Sequence, residues 1–227
     1  MDKTWNFFCR KTGAKYIRQE ISLPIVSKEK LLEEFWKGYS SKTKVIFINE
    51  ISSATALIFP VKEICQKAQE LGLITIIDGA HVPGHIDLKI EELNPDFYTG
   101  TLHKWMLSPK GSSFLYVKKE FQNDIDPLVV SWGYDNAVIS ESQFLDYHEY
   151  QGTRDIAAFL CTPKVIDFLE EIKGGGAFNR LLSQQFMSSS AIGLITMPNN
   201  EINSWINCGI AAERLWLGAT AKGLQIH

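Results

Sequence analysis

Four short segments of the chain concentrate residue types that do chemistry. Residues 78–81 read Asp-Gly-Ala-His and close the apolar run 73–77, LITII. Residues 99–105, TGTLHKW, carry Thr101, His103 and Lys104 after a second strand-like stretch. Residues 108–112 (SPKGS) and 151–155 (QGTRD) complete the set. Taken alone, Asp78 can be a turn-capping residue and Lys104 a solvated surface charge. On adjacent strand ends of one parallel sheet, the two say more. A carboxylate deep at a sheet edge needs a cationic partner, and a protonated pyridine nitrogen supplies one. An amine beside aromatic Trp105 can form a Schiff base. A lysine for the aldehyde and an acid for the ring nitrogen are what pyridoxal phosphate requires of a protein. Structural acid and amine pairs of this kind are also common.

The elements that must position these residues are legible as an alternation. Residues 14–21 (AKYIRQEI) read as a strand. Ser27 is placed to cap an amphipathic helix, KEKLLEEFWKGY, with Leu31, Leu32, Phe35 and Trp36 on one side. The run 44–49 (KVIFIN) reads as a strand buried on both faces. Pro60 opens a helix that ends at Gly72, and the strand 73–77 follows with Asp78 at its carboxyl end. Strand, helix, strand implies a parallel α/β sheet with right-handed crossovers. Ligands of such sheets collect beyond the carboxyl ends of the strands, where residues 49–53 and 78–81 both fall. Further strands are expected at Phe97–Thr101, Ser113–Val117 and 127–132. A helix is expected over 155–172, bent or started at Pro163. Three glycines at 174–176 and three serines at 188–190 mark a linker or a simple cap and loop. A helix over 201–221 ends the pattern.

Composition narrows the class. The 227 residues carry 23 Lys and Arg against 26 Asp and Glu, with 45% hydrophobic residues. That balance excludes a disordered chain and gives no electrostatic reason to expect a nucleic-acid partner. The four cysteines, Cys9, Cys65, Cys161 and Cys208, form no CxxC pair and lie at no metal-ligand spacing from a histidine. Neither a metal site nor a disulfide framework is expected. The N-terminus is no signal peptide and no apolar run reaches membrane length. A cytoplasmic protein without a membrane partner is expected.

Residues 5–172 resemble the central part of class V aminotransferases, within the fold-type-I pyridoxal phosphate enzymes, and their isopenicillin-N epimerase-like members in particular. The resemblance rests on four ordered blocks: 78–88 (DGAHVPGHIDL), 96–117 (DFYTGTLHKWMLSPKGSSFLYV), 127–133 (PLVVSWG) and 150–160 (YQGTRDIAAFL). It implies that residues 1–173 are most of the large domain of such an enzyme, a mostly parallel sheet flanked by helices. It implies that Lys104 forms a Schiff base with pyridoxal 5'-phosphate and moves the α-proton of an amino-acid substrate. Asp78 pairs with the ring nitrogen, and His81 contacts the phenolic oxygen. Thr101 and His103 hold the phosphate. Gly152 and Thr153 reach the cofactor of a neighbouring subunit, which implies a homodimer. Ser53 matches loosely a position beside the phenolic oxygen. His85 falls outside the pattern, as a surface or turn residue. Arg154 either binds a substrate carboxylate or pairs with Asp155 or caps a helix.

The resemblance also defines departures. The family's N-terminal third, with its phosphate-cradling turn, and its C-terminal domain, with a carboxylate-binding arginine, have no counterpart. Residues 174–190 are read as a linker or junction and 191–227 as a helical tail, which faintly resembles the C-terminal part of FMN-dependent nitroreductases through AERLWLGATAKGL. Epimerisation, transamination and elimination all remain open. A cysteine desulfurase needs a mobile nucleophilic cysteine, and Cys161 falls in a helical stretch. The reading from a different class is a non-catalytic, truncated fragment that keeps Lys104 and Asp78 without holding the cofactor.

Overall fold

The computed structural model describes residues 1–135, 138, 140–173 and 202–222, and the chain divides into two compact units, Met1–Glu170 and Glu171–His227. The expected junction at 174–190 lies outside the described residues.

The first unit is built on one four-stranded sheet, β1 (Val45–Asn49), β2 (Ile74–Asp78), β3 (Phe97–Thr101) and β4 (Ser113–Val117), in spatial order β1-β2-β3-β4. β1, β2 and β3 run parallel, and β4 is antiparallel to β3. The expected α/β sheet is therefore mostly parallel with an antiparallel edge. The short loop from β3 to β4 leaves no room for a crossover helix, so β4 returns in the opposite sense.

The helices explain the strand placement. In α2 (Lys28–Trp36) the Ser27 hydroxyl accepts from the Lys30 N–H, the expected cap. α3 (Val61–Glu70) starts after Pro60. It stops where Gly72 enters the left-handed region at φ 65° and the Leu73 N–H returns to the Ala68 carbonyl at 2.9 Å. That turn delivers the chain straight into β2. Val61 and Cys65 of α3 pack on Ile77 of β2 and Tyr98 of β3, with Ile48, Phe59 and Phe114 around them. Each such aliphatic side chain stabilises the fold by about 2 kcal/mol when buried. Alternation turns Phe47 to the other face, where its ring meets Trp5 at 5.5 Å between centroids.

Several expectations change. Residues 14–21 form no strand. Ile17 is exposed, Tyr16 donates to Asp2 at 2.6 Å and Arg18 pairs with the same carboxylate. The segment alternates, but no neighbouring strand edge receives it. Ahead of it the polar N-terminus forms a helix, α1 (Asp2–Thr12). Residues 127–132 are irregular and exposed, with Leu128 almost wholly in solvent. The helix expected over 155–172 is two: after the short helices α4 (Ile90–Leu93) and α5 (Gln143–Glu149) come α6 (Ala157–Leu160) and α7 (Thr162–Lys173), with Pro163 in the first turn of the latter. In the second unit, α8 (Ile202–Ala221) follows the expected helix closely. No helix among the described residues is long and apolar enough to cross a membrane.

Candidate functional site

Parallel register brings the carboxyl ends of β1 and β2 level, and β3 runs two residues further. Asn49 pairs with Asp78, and Asp78 with Thr99. The Asn49 amide donates to Asp78 Oδ2 at 3.1 Å and the Ala80 N–H to Oδ1 at 3.0 Å. Both carboxylate oxygens are thus oriented by groups that carry no charge. Among the described residues Asp78 makes no ion pair with a cationic side chain, although it is only partly exposed.

The chain then turns sharply. The Gly79 N–H bonds to the Thr99 carbonyl at 2.8 Å and the Val82 N–H to the Gly79 carbonyl at 2.9 Å. Gly84, at φ 80°, lies so close to the next loop that a Cβ there would fall 2.6 Å from the Met106 backbone. This approach seats His81 against the segment that follows β3. Lys104 Nζ lies 3.2 Å from His81 Nε2, and the Trp105 indole N–H donates to His81 Nδ1 at 3.2 Å. His85 stacks on Trp105 with centroids 4.3 Å apart, and its Nδ1 is 3.1 Å from the His81 carbonyl. Burial pushes the His81 imidazole below its usual range. The Lys104 charge and His85 act in the same direction, and Asp78 opposes them.

The remaining candidates divide. Thr101 donates from its hydroxyl to the Ala80 carbonyl at 2.8 Å, tying the end of β3 to the turn after Asp78. His103 Nδ1 is 3.3 Å from the Ser112 carbonyl. Asp78, His81, Thr101, His103 and Lys104 therefore share one end of the sheet. Gly152, at φ 93°, and exposed Thr153 lie between α5 and α6. No hydrogen bond among the described residues joins them to that cluster. Ser53 is exposed in a turn after β1. Arg154 departs from the expected pairing with Asp155. It donates to Gln151 at 2.9 Å and lies over the Phe159 ring, while Asp155 accepts from the Ala157 N–H. A carboxylate two residues ahead of a helix start satisfies a free N–H there, which leaves the guanidinium to the neighbouring amide and ring.

Asn49 and Trp105 are hydrogen-bond partners of Asp78 and His81 that the sequence placed near the site without naming as site residues. Position at a strand end was the available signal for Asn49, and adjacency to Lys104 the signal for Trp105.

The profile of the Aminotransferase class-V family matches residues 4–206. The isopenicillin N epimerase of Streptomyces clavuligerus is 37% identical over 144 residues, covering 59% of this chain and 36% of that protein. The isopenicillin N epimerase of Amycolatopsis lactamdurans is 32% identical over 167 residues, 70% of this chain and 42% of its own length. A probable chloroplastic L-cysteine desulfhydrase of Arabidopsis thaliana is 27% identical over 183 residues, 76% of this chain and 37% of that protein. The chain thus spans about two-fifths of the length of the curated relatives it matches. Among solved structures, the apo cysteine desulfurase of Thermococcus onnurineus shares the fold, with a TM-score of 0.60 at 23% identity over 74% of this chain and 42% of that one. Over most of its length, this chain belongs to the class V aminotransferases, a family of pyridoxal phosphate-dependent enzymes.

Proposed function

We propose that the chain holds pyridoxal 5'-phosphate at the carboxyl ends of β1 to β3 and acts there on the α-carbon of an amino acid, as an epimerase or aminotransferase, in a cytoplasmic homodimer. One observation carries this. A partly buried carboxylate and a partly buried amine stand at neighbouring strand ends, and each is held by neutral partners rather than by the other. Such a donor set fits a ligand that brings both a cationic ring nitrogen and a carbonyl.

In this reading Asp78 keeps the proton on the ring nitrogen, and Asn49 and the Ala80 N–H keep its oxygens aimed. Lys104 Nζ is the point of attachment and takes and returns the α-proton. His81 Nε2, 3.2 Å away, is within hydrogen-bond reach of that amine and orients it. Thr101 and His103 border the same strand end and serve the phosphate, with Gly152 and Thr153 serving the cofactor of a second subunit. Pyridoxal phosphate, when bound, supplies an electron sink for the bond broken at the α-carbon.

Elimination from cysteine is the second reading, favoured by the relatives described as L-cysteine desulfhydrases, which match as much as 76% of this chain. The third is a non-catalytic fragment that keeps Lys104 and Asp78.

The experiment is direct. The purified chain is mixed with pyridoxal phosphate, reduced with borohydride and mapped by peptide mass. Modification concentrated on Lys104, and lost in Lys104→Ala, is the expected result. Labelling spread over surface lysines, unchanged in that variant, would leave the non-catalytic reading. With the loaded protein, exchange of the α-proton without sulfide release marks an epimerase or aminotransferase, and sulfide from cysteine marks the lyase.

A further inference from the structure

Trp105 touches the site without a role in the scheme above. Its indole nitrogen is a donor only, and it donates to His81 Nδ1 at 3.2 Å. Nδ1 must therefore offer a lone pair. A neutral imidazole with a lone pair on Nδ1 carries its proton on Nε2, the nitrogen 3.2 Å from Lys104 Nζ. An ammonium has donors and no acceptor, so it would face that N–H donor to donor. An amine has a lone pair and accepts it. Both contacts of His81 are satisfied together only when Lys104 is the free amine, the form that attacks a carbonyl.

We propose that Trp105 is a positioning residue, whose N–H selects the Nε2–H tautomer of His81 and so presents a hydrogen-bond donor to the Lys104 amine. The charged and titratable groups that act on His81 are Lys104, Asp78 and His85. Burial favours the neutral imidazole that the tautomer requires. The indole is itself fixed, because His85 stacks on it at 4.3 Å and Gly84 permits the close approach of the two loops. Half of the Trp105 surface is exposed, so its N–H contact is not a by-product of core packing. The role of this arrangement in catalysis rests on the functional reading of Lys104; the tautomer itself does not.

The test uses the full chain without added cofactor. Long-range proton–nitrogen NMR on the labelled protein at neutral pH reads the His81 tautomer, with the signal assigned by its loss in His81→Gln. The Nε2–H form is expected, and an Nδ1–H form overturns the proposal. Trp105→Phe keeps the ring and the stacking surface and removes only the N–H. In it, His81 is expected to become a mixture of tautomers. Acetylation of Lys104 by limiting acetic anhydride, relative to exposed Lys42, is expected to fall about fivefold, the worth of one ordinary hydrogen bond. An unchanged tautomer with an unchanged Lys104 to Lys42 ratio overturns the proposal. Failure of pyridoxal phosphate to modify Lys104 in the unaltered chain counts against the functional reading alone, and the tautomer then stands or falls on the spectra.

Discussion

The hydroxyl of Tyr98 occupies the space that a side chain at Gly79 would need. The same hydroxyl donates to Glu50 at 2.7 Å. Three strands thus meet beneath the turn that follows Asp78: Glu50 just beyond β1, Gly79 just beyond β2, and Tyr98 within β3. Both polar partners are buried, so the contact orients the turn that carries His81 at no cost in unpaired groups.

Gly79→Ala is expected to push the Tyr98 ring off Glu50 and leave two buried polar groups unpaired. The loss should be about 2–4 kcal/mol of folding stability, read from urea unfolding midpoints. A midpoint equal to that of the unaltered chain would show that the turn yields without disturbing Tyr98.

Glu50 gives the same region a pH dependence. Burial raises its carboxyl above the ordinary value of 4.5, and the Tyr98 bond opposes this only in part. Between the unfolded and folded values the native state holds the proton more tightly. Stability from this group therefore falls as pH rises through that interval, and the loss is complete above the folded value. Glu50→Gln keeps an acceptor for Tyr98 and has no proton to lose. Unfolding midpoints of the two proteins, compared from about pH 4 to pH 8, should diverge in favour of the variant as pH rises. Parallel curves would remove Glu50 as the source.

Asp96 locks the start of β3 to β2. Its Oδ2 accepts from the Thr75 N–H at 2.8 Å and from the Thr75 hydroxyl at 3.0 Å, and its own N–H returns to that hydroxyl at 2.9 Å. Lys118 Nζ approaches Oδ1 at 3.4 Å. Asp96→Ala should destabilise the fold by about 3 kcal/mol, because the buried N–H and hydroxyl of Thr75 lose their shared acceptor together. Asp96→Asn retains one acceptor and should cost clearly less in the same unfolding experiment. Equal losses would mean that the carboxylate acts through its volume alone.

Much of this architecture is written locally. The runs 44–49 and 73–77, Phe97–Thr101 and Ser113–Val117 are short, apolar and bounded by turn residues, and each is a strand or nearly so. Ser27, Pro60 and Gly72 mark helix ends through properties of single residues: a side-chain acceptor, a missing donor and a tolerance for positive φ. Residues 14–21 mislead because alternation is a property of the segment, whereas a strand is a property of a pair. The antiparallel sense of β4 was equally out of reach, since the same five residues serve either direction.

The site divides along the same line. Residue types at strand ends singled out Asp78 and Lys104 as candidates, because a carboxylate and a lysine there are local features, and resemblance to one family added His81, Thr101 and His103. Folding settled which of them touch. Asn49 reaches Asp78 across 29 positions, and Lys104 and Trp105 reach His81 across 23 and 24. Those contacts depend on the parallel register of β1 with β2 and on the close approach at Gly84. Register and approach arise from packing between distant segments, and no stretch of sequence carries them alone.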